Sequence, residues 1–340
     1  MVSLTIAIIL IALLFDFLNG MNDAANSIAT IVSTRVLSPK VAVAWAAFFN
    51  FVAAFGFGVA VARTIGKGIV DPSVVTQELI LSALVGAIVW THLCTAYGLP
   101  ISVSHSLIGG LVGSAVAKAG FQTLLVSGIT KVVIFIFLSP VIGLCVALAL
   151  MVGVSWGFRR WAVQRVDRFF RIGQLISSAA FSLGHGTNDA QKTMGIIAVL
   201  LFSSGHGLPN WMYDQTQGFY VPYWVILAAH TAIGLGTLVG GWKVIRTMGI
   251  KLTHLKPVGG FCAEGAGALV LLGTALSGIP VSTTHTIAGA IMGVGATRRI
   301  SAVRWGVAGK IVAAWVLTIP MSAFVAAGAY WIIEKLKLFL

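Results

Sequence analysis

The sequence predicts an all-α integral membrane protein, an inverted-topology repeat of about five membrane segments per half, with broken helices and re-entrant hairpins. Three observations carry this. Hydrophobic residues fill 58% of the 340 positions and charged residues only 9%, with a mean hydropathy of +0.98; soluble domains carry about 25% charged residues. A polar octet, Gly20-Met21-Asn22-Asp23-Ala24-Ala25-Asn26-Ser27, returns 166 positions later as Gly186-Thr187-Asn188-Asp189-Ala190-Gln191-Lys192-Thr193. Positive residues collect in the short connections between apolar runs, where orientation signals belong.

Each octet plants an aspartate inside an apolar run. A carboxylate near the bilayer centre costs about 2.5–3.5 kcal/mol even on lenient insertion scales. Bearing that cost at matched places in both halves marks the two acids as used. Gly20 and Gly186 precede them, so a helix break is expected at each motif, with backbone groups freed to face a ligand.

In chain order, a segment of about residues 3–37 contains the first octet and is too long for one simple span. Spans follow at about 41–62 and 78–97. Then Gly98-Leu99-Pro100-Ile101-Ser102-Val103-Ser104-His105-Ser106 opens a short, glycine-spotted segment to Ala119. Proline followed by hydroxyls at the head of an apolar run is a helix start, and its shortness suggests a re-entrant hairpin. A span from Lys131 to Gly157 closes the first half. The second half repeats the plan, and Gly278-Ile279-Pro280-Val281-Ser282-Thr283-Thr284-His285-Thr286 echoes the Pro-hydroxyl-His stretch 180 positions on. The loop from Ser203 to Tyr223 accounts for most of the growth in offset. Two motifs in the same order at near-constant spacing indicate internal duplication. The halves are residues 1–157 and 172–340, joined by a basic connection at 158–171.

That connection holds Arg159, Arg160, Arg165, Arg168 and Arg171 against Asp167, which places it in the cytoplasm of an inner (plasma) membrane protein. Five crossings per half is an odd number, so the halves insert in opposite senses and both termini lie outside. The net charge of +13 is therefore an orientation signal and not a nucleic-acid footprint. Cys94, Cys145 and Cys262 are scattered through apolar segments and make neither a metal spacing nor a disulfide framework. No basic residue precedes the first apolar run, which continues into the octet, so no cleaved signal peptide is expected.

The octets and the paired Pro-x-Ser-x-Ser/Thr-His stretches resemble the inorganic phosphate transporter (PiT) family, in its short bacterial form, over nearly the whole chain. The resemblance implies a dimeric, inverted-repeat symporter moving phosphate with sodium or protons, and no cofactor. Two departures weigh against sodium. Asn26 is answered by Lys192, where sodium-coupled members tend to repeat Asn. Some animal members also carry an acid before a Thr-Ile-x-Lys-Gly stretch, where this chain has Arg63.

For phosphate, the expected donors are Ser102, Ser104, His105 and Ser106, with Ser282, Thr283, Thr284, His285 and Thr286 and the ammonium of Lys192. Hydroxyls and free N–H groups at a helix start make an anion site. The bland alternative is ordinary capping. For the coupling cation, carboxylates, amide oxygens and hydroxyls make a hard-cation shell: Asn22, Asp23, Asn26 and Ser27, then Asn188, Asp189, Gln191 and Thr193. Asp23 and Asp189 would anchor any sodium. Glu264 joins this set as another buried acid, with a charge pair to a neighbouring span as the simpler role. His105, His185 and His285 are proton-carrier candidates.

Two fixed acids and a phosphate anion repel one another, so mobile cations must enter with the anion. Protons are favoured over sodium, and the substrate is phosphate or a metal–phosphate complex. Rivals are a sulfate permease of the same fold, a membrane-embedded hydrolase using Ser104 or Ser106 with His105, and a phosphate sensor. A full dianion fits poorly beside two carboxylates. Neighbouring helical residues point about 100° apart, and no third orienting group is evident for the Ser/His pair. A sensor would carry a large soluble domain.

Overall fold

A computed structural model describes residues 2–204 and 208–337. Among them, regular structure is helical apart from one bridge between Val70 and Leu124. The first half comprises α1 (Val2–Ser33), α2 (Pro39–Val52), α3 (Ala60–Gly68), α4 (Gln77–Tyr97), α5 (Val103–Ala119) and α6 (Val126–Gly157). The second comprises α7 (Val163–Ser203), α8 (Tyr223–Val239), α9 (Trp242–Arg246), α10 (Pro257–Leu276), α11 (Thr283–Ala296) and α12 (Trp305–Lys337). Helix by helix the order repeats: long, bent pair, hairpin, long. Five of these helices, α1, α4, α6, α10 and α12, are long and apolar enough to cross a membrane, and two bent pairs raise the number to seven. This is a multi-pass membrane protein.

The expected breaks exist, but not at the octets. Both motifs lie within continuous helix, α1 and α7. A Cβ on Gly20 would run into the Ile233 carbonyl of α8, and one on Gly186 would lie 2.6 Å from the Asn50 carbonyl of α2. These glycines let helices cross closely. The breaks fall instead in the following spans, which the sequence reads as single. Residues 39–55 and 60–68 meet at 83°, and the pair Tyr223–Val239 and Trp242–Lys251 at 65°. The basic connection is also shorter than expected, since α7 begins at Val163 and carries Arg165, Arg168 and Arg171 on its first turns. Of the loop at 203–223, residues 205–207 lie outside the described residues.

Two hairpins reach inward. Ser82 of α4 donates to Ser114 of α5 at 2.9 Å, while the chain turns at Gly98 in the left-handed region (φ 69°), so α4 and α5 run antiparallel. The tip touches α1, where Asn22 Nδ2 donates to Thr95 at 2.6 Å. The tip between α10 and α11 meets α3, with Thr64 donating to the Gly278 carbonyl at 2.8 Å. At 17 and 14 residues, α5 and α11 extend about 25 and 21 Å, short of the ~30 Å hydrocarbon core. The last span of each half packs on the other half: α12 lies against α5 and α4, and α6 against α11 and α10. Gly109 and its repeat Gly289 make those crossings possible, approaching the Ile319 and Pro140 carbonyls.

α1 and α7 run in opposite directions. Arg171, at the start of α7, donates to the Arg35 carbonyl just past the end of α1. Gln77 donates both to Thr5 at the start of α1 and to Ser204 just past the end of α7. One end of the molecule therefore gathers Arg35, Arg171, Lys256 and Arg298. The opposite end holds the start of α1, the start of α4 and the aromatic loop, where Lys67 lies 4.6 Å from the Phe219 ring centroid.

Candidate functional site

Where α1 and α7 cross, the two motif acids meet. His185 lies between them, its Nε2 3.2 Å from Asp189 Oδ2 and 3.9 Å from Asp23 Oδ2. These three groups each offer one ligand atom within 4.8 Å of the others, and all are buried. Thr283 at the head of α11 joins them, donating to Asp189 Oδ2 at 2.9 Å with Asp23 Oδ2 at 3.4 Å. The other face of Asp189 is paired with the Lys192 ammonium, which also donates to Ser104 and to the Val281 carbonyl at 2.9 Å. All three ammonium hydrogens are thus used.

The first octet builds the same shape with different groups. Asn26 Nδ2 donates to Thr284 at 2.9 Å and lies 3.4 Å from Thr283. The Thr284 hydroxyl stands 3.4 Å from Asp23 Oδ1 and 3.0 Å from the Ile101 carbonyl. By the 166- and 180-residue offsets, Asn26 answers Lys192, Thr284 answers Ser104, and Ile101 answers Val281. Each motif helix therefore engages the hairpin tip of the other half.

Both short helices start at this crossing. Ser102 and Ser282 accept from the amides of His105 and His285 at 3.3 and 3.2 Å, so these two serines are N-caps, the bland role. Helix starts still bring further amides and a positive dipole end to the acids. His105 and His285 touch edge to face at 4.9 Å, and His285 stacks on Trp315 at 3.8 Å, which fixes the two starts against each other. Thr286 turns back onto the Ser282 carbonyl. Ser106 is fully buried with no hydrogen-bond partner.

Both copies leave the same oxygen unpaired. Asn22 donates to Thr95 and Asn188 to the Leu271 carbonyl, while Oδ1 of each is buried without a partner, as is the Ser27 hydroxyl. A buried polar atom left unpaired costs about 1–3 kcal/mol. Two carboxylates, two orphaned amide oxygens and hydroxyls suit a hard cation, which takes oxygen ligands. Asn22, Asp23, Asn188 and Asp189 would be the residues to hold it. The hydroxyl of Thr193, which answers Ser27, is likewise buried without a partner.

Two residues expected here belong elsewhere. Gln191 Oε1 accepts from the Val61 and Ala62 amides at 2.8 and 3.2 Å, so it caps α3. Its counterpart in the first octet is Ala25, which signals a role outside the repeated chemistry. Glu264 sits apart, fully buried, and has no charge partner among the described residues: Thr30, Gln174 at 3.0 Å and Ser177 at 2.6 Å all donate to it. The expected charge pair is replaced by hydroxyls and an amide. Missed altogether were the Ile101 and Val281 carbonyls and Asn50, whose Oδ1 lies 3.1 Å from His185 Nδ1. A lone asparagine in the apolar run at 41–62 was the available signal for Asn50; nothing in a side-chain pattern marks a carbonyl.

A buried polar cluster held between two antiparallel helices and two hairpin tips, in a multi-pass membrane protein, points to a transport protein. Comparison with known proteins agrees. The description "Phosphate transporter family" matches residues 19–326. A "Probable low-affinity inorganic phosphate transporter" of Rhizobium meliloti (strain 1021) is 55% identical, covering 96% of each chain, and one of Bacillus subtilis (strain 168) is 42% identical over 98% of each. A solved structure titled "The sodium-dependent phosphate transporter" superposes with a TM-score of 0.88 at 26% identity, covering 98% of this chain and 99% of that one. The chain belongs to the phosphate transporter family. It is a transporter and not an enzyme, which removes the Ser/His hydrolase.

Proposed function

We propose that the chain is a secondary active symporter that imports inorganic phosphate, free or metal-bound, with cations, protons ahead of sodium, by alternating access. The observation that carries this is the convergence of two buried acids with two helix starts at one helix crossing. Helix starts favour an anion; the acids oppose it. Two like charges about 4 Å apart repel by roughly 4 kcal/mol at an effective dielectric near 20. Lys192 offsets one acid, so phosphate enters only with further positive charge. Symport is the consequence.

Residues 1–157 and 172–340 act as the two inverted repeats, in keeping with the opposed directions of α1 and α7. The arginine-rich end faces the cytoplasm of the plasma membrane, both termini face out, and two copies form a homodimer. Phosphate is held by Ser104, Ser106, Thr283, Thr284 and the two helix starts, and Asp23 and Asp189 bind the coupling cation. His185, between the acids, is the proton carrier that geometry favours over His105 and His285. Sodium in place of protons is a second reading, favoured by the likeness to a structure titled as sodium-dependent.

Uptake of labelled phosphate into proteoliposomes, with pH and sodium gradients imposed separately, tests this. A pH gradient alone is expected to drive accumulation, and excess sulfate to leave it unchanged. Strict dependence on sodium would overturn the proton preference, and equal competition by sulfate would overturn the substrate.

A further inference from the structure

We infer that Lys192 is a built-in cation: its ammonium permanently fills, in the second half, the place that a mobile cation takes in the first. This rests on the symport reading above and fixes a feature that reading leaves open, the number of exchangeable cation sites.

The internal repeat supplies the control. In the second half, one carboxylate oxygen of Asp189, the hydroxyl of Ser104 and the carbonyl of Val281 surround Lys192 Nζ. In the first half the equivalent atoms are those of Asp23, Thr284 and Ile101, with the shorter Asn26 donating its amide to the same Thr284 hydroxyl. The two oxygen sets match in kind: one acid, one hydroxyl, one main-chain carbonyl. Oxygen ligands of this kind suit a hard cation. In one half the chain brings its own positive charge; in the other it does not. Lys192 is 2% exposed and its three donors are all engaged within the protein, so it is held in place by the site itself.

The consequence is a count. The buried pair of acids carries two negative charges, and Lys192 removes one of them in every state of the cycle. The wild-type chain therefore needs one mobile cation fewer per phosphate than a chain with amides at both positions. Replacing the ammonium with an amide recreates the first-half chemistry in the second half and opens another exchangeable site.

The test measures binding as well as transport. Radioactive sodium bound per chain is measured at saturating phosphate on the purified full-length wild type, Lys192→Asn and Lys192→Gln. Each variant is expected to bind one more sodium per chain than wild type. Phosphate binding by the variants should require sodium more steeply, with the Hill coefficient for sodium raised. The converse variant, Asn26→Lys, should move fewer coupling cations, protons or sodium, per phosphate than wild type. If neither amide variant gains a sodium ion, or if both bind phosphate with the wild-type sodium dependence, the assignment is wrong. A wild-type chain that binds no phosphate under any cation would instead sink the symport reading itself.

Discussion

The two octets make the same crossing and equip it differently. Asp23 has amides on either side along its helix, Asn19 four residues before and Asn26 three after. Asp189 has His185 and Lys192 at those same steps, and contacts both. A second contrast lies deeper in the same helices. Glu264, Thr30, Gln174 and Ser177 form a hydrogen-bonded group on one side of the crossing, three of them from the second half and Thr30 from the first. By the repeat offsets their counterparts are Leu84, Ile196, Ile8 and Ile11, which belong to one apolar cluster. The backbone crossing is alike at both octets, while His185 and Lys192 stand on one copy where the other has Asn19 and Asn26. Geometry and charge are thus separable features of this site.

The sharpest way to break the comparison is to neutralise each acid alone. Asp189→Asn leaves the buried Lys192 ammonium without its carboxylate, a change that costs about 3–5 kcal/mol. Asp23→Asn strands no charge, and should cost about 1 kcal/mol as one lost buried hydrogen bond. Thermal unfolding of the two purified variants reads the difference; equal midpoints would mean that the copies are electrostatically alike. Both variants should lose concentrative phosphate uptake.

Alanine at Gly20 or Gly186 tests the shared geometry. Each added methyl meets a carbonyl of the crossing helix, and overpacking of this kind costs about 1–3 kcal/mol. Both variants should lose stability, Gly20→Ala more than Gly186→Ala because its methyl would meet the carbonyl more closely. A large effect at one glycine and none at the other would show that only one crossing is tight.

Glu264→Gln keeps shape but replaces an acceptor-only group with one that donates as well. One of the three donors then faces an amide N–H, at an expected cost of about 1–2 kcal/mol. Stability unchanged within error would mean that Glu264 is already a donor. The smallest effect concerns the loop that only the second half possesses. Asp214 accepts from the Thr216 amide and hydroxyl and from Gln217, and these bonds hold its carboxyl below the usual carboxylate range. A depressed value means that its ordering of the loop is present at neutral pH and lost as pH falls through the folded-state value. Protection of the Thr216 amide, taken against its intrinsic exchange rate at each pH, should fall over that acidic window; unchanged protection would remove Asp214 from the account.

The octets and hairpin starts were legible because a polar residue in an apolar run stands out, and Ser102 and Ser282 follow the capping rule. The continuity of α1 and α7 was not. A glycine before a buried acid reads alike whether it breaks a helix or admits a neighbour, and only the Ile233 and Asn50 carbonyls decide. Gln191 and Glu264 were misplaced for a related reason: which partner a buried polar group meets depends on distant helices. The bends after Phe55 and Val239 escaped because glycine-rich apolar runs carry no period that marks a kink.

The exchange of closing spans has one more consequence. Because α12 seats on α5 and α6 on α11, each half holds the last piece of the other like clasped hands. Severing the chain near residues 158–162 would give two fragments, each carrying a long helix with its glycine-faced seat on the other molecule. Neither should accumulate when produced alone, and the pair should mature only when both are made in the same cell.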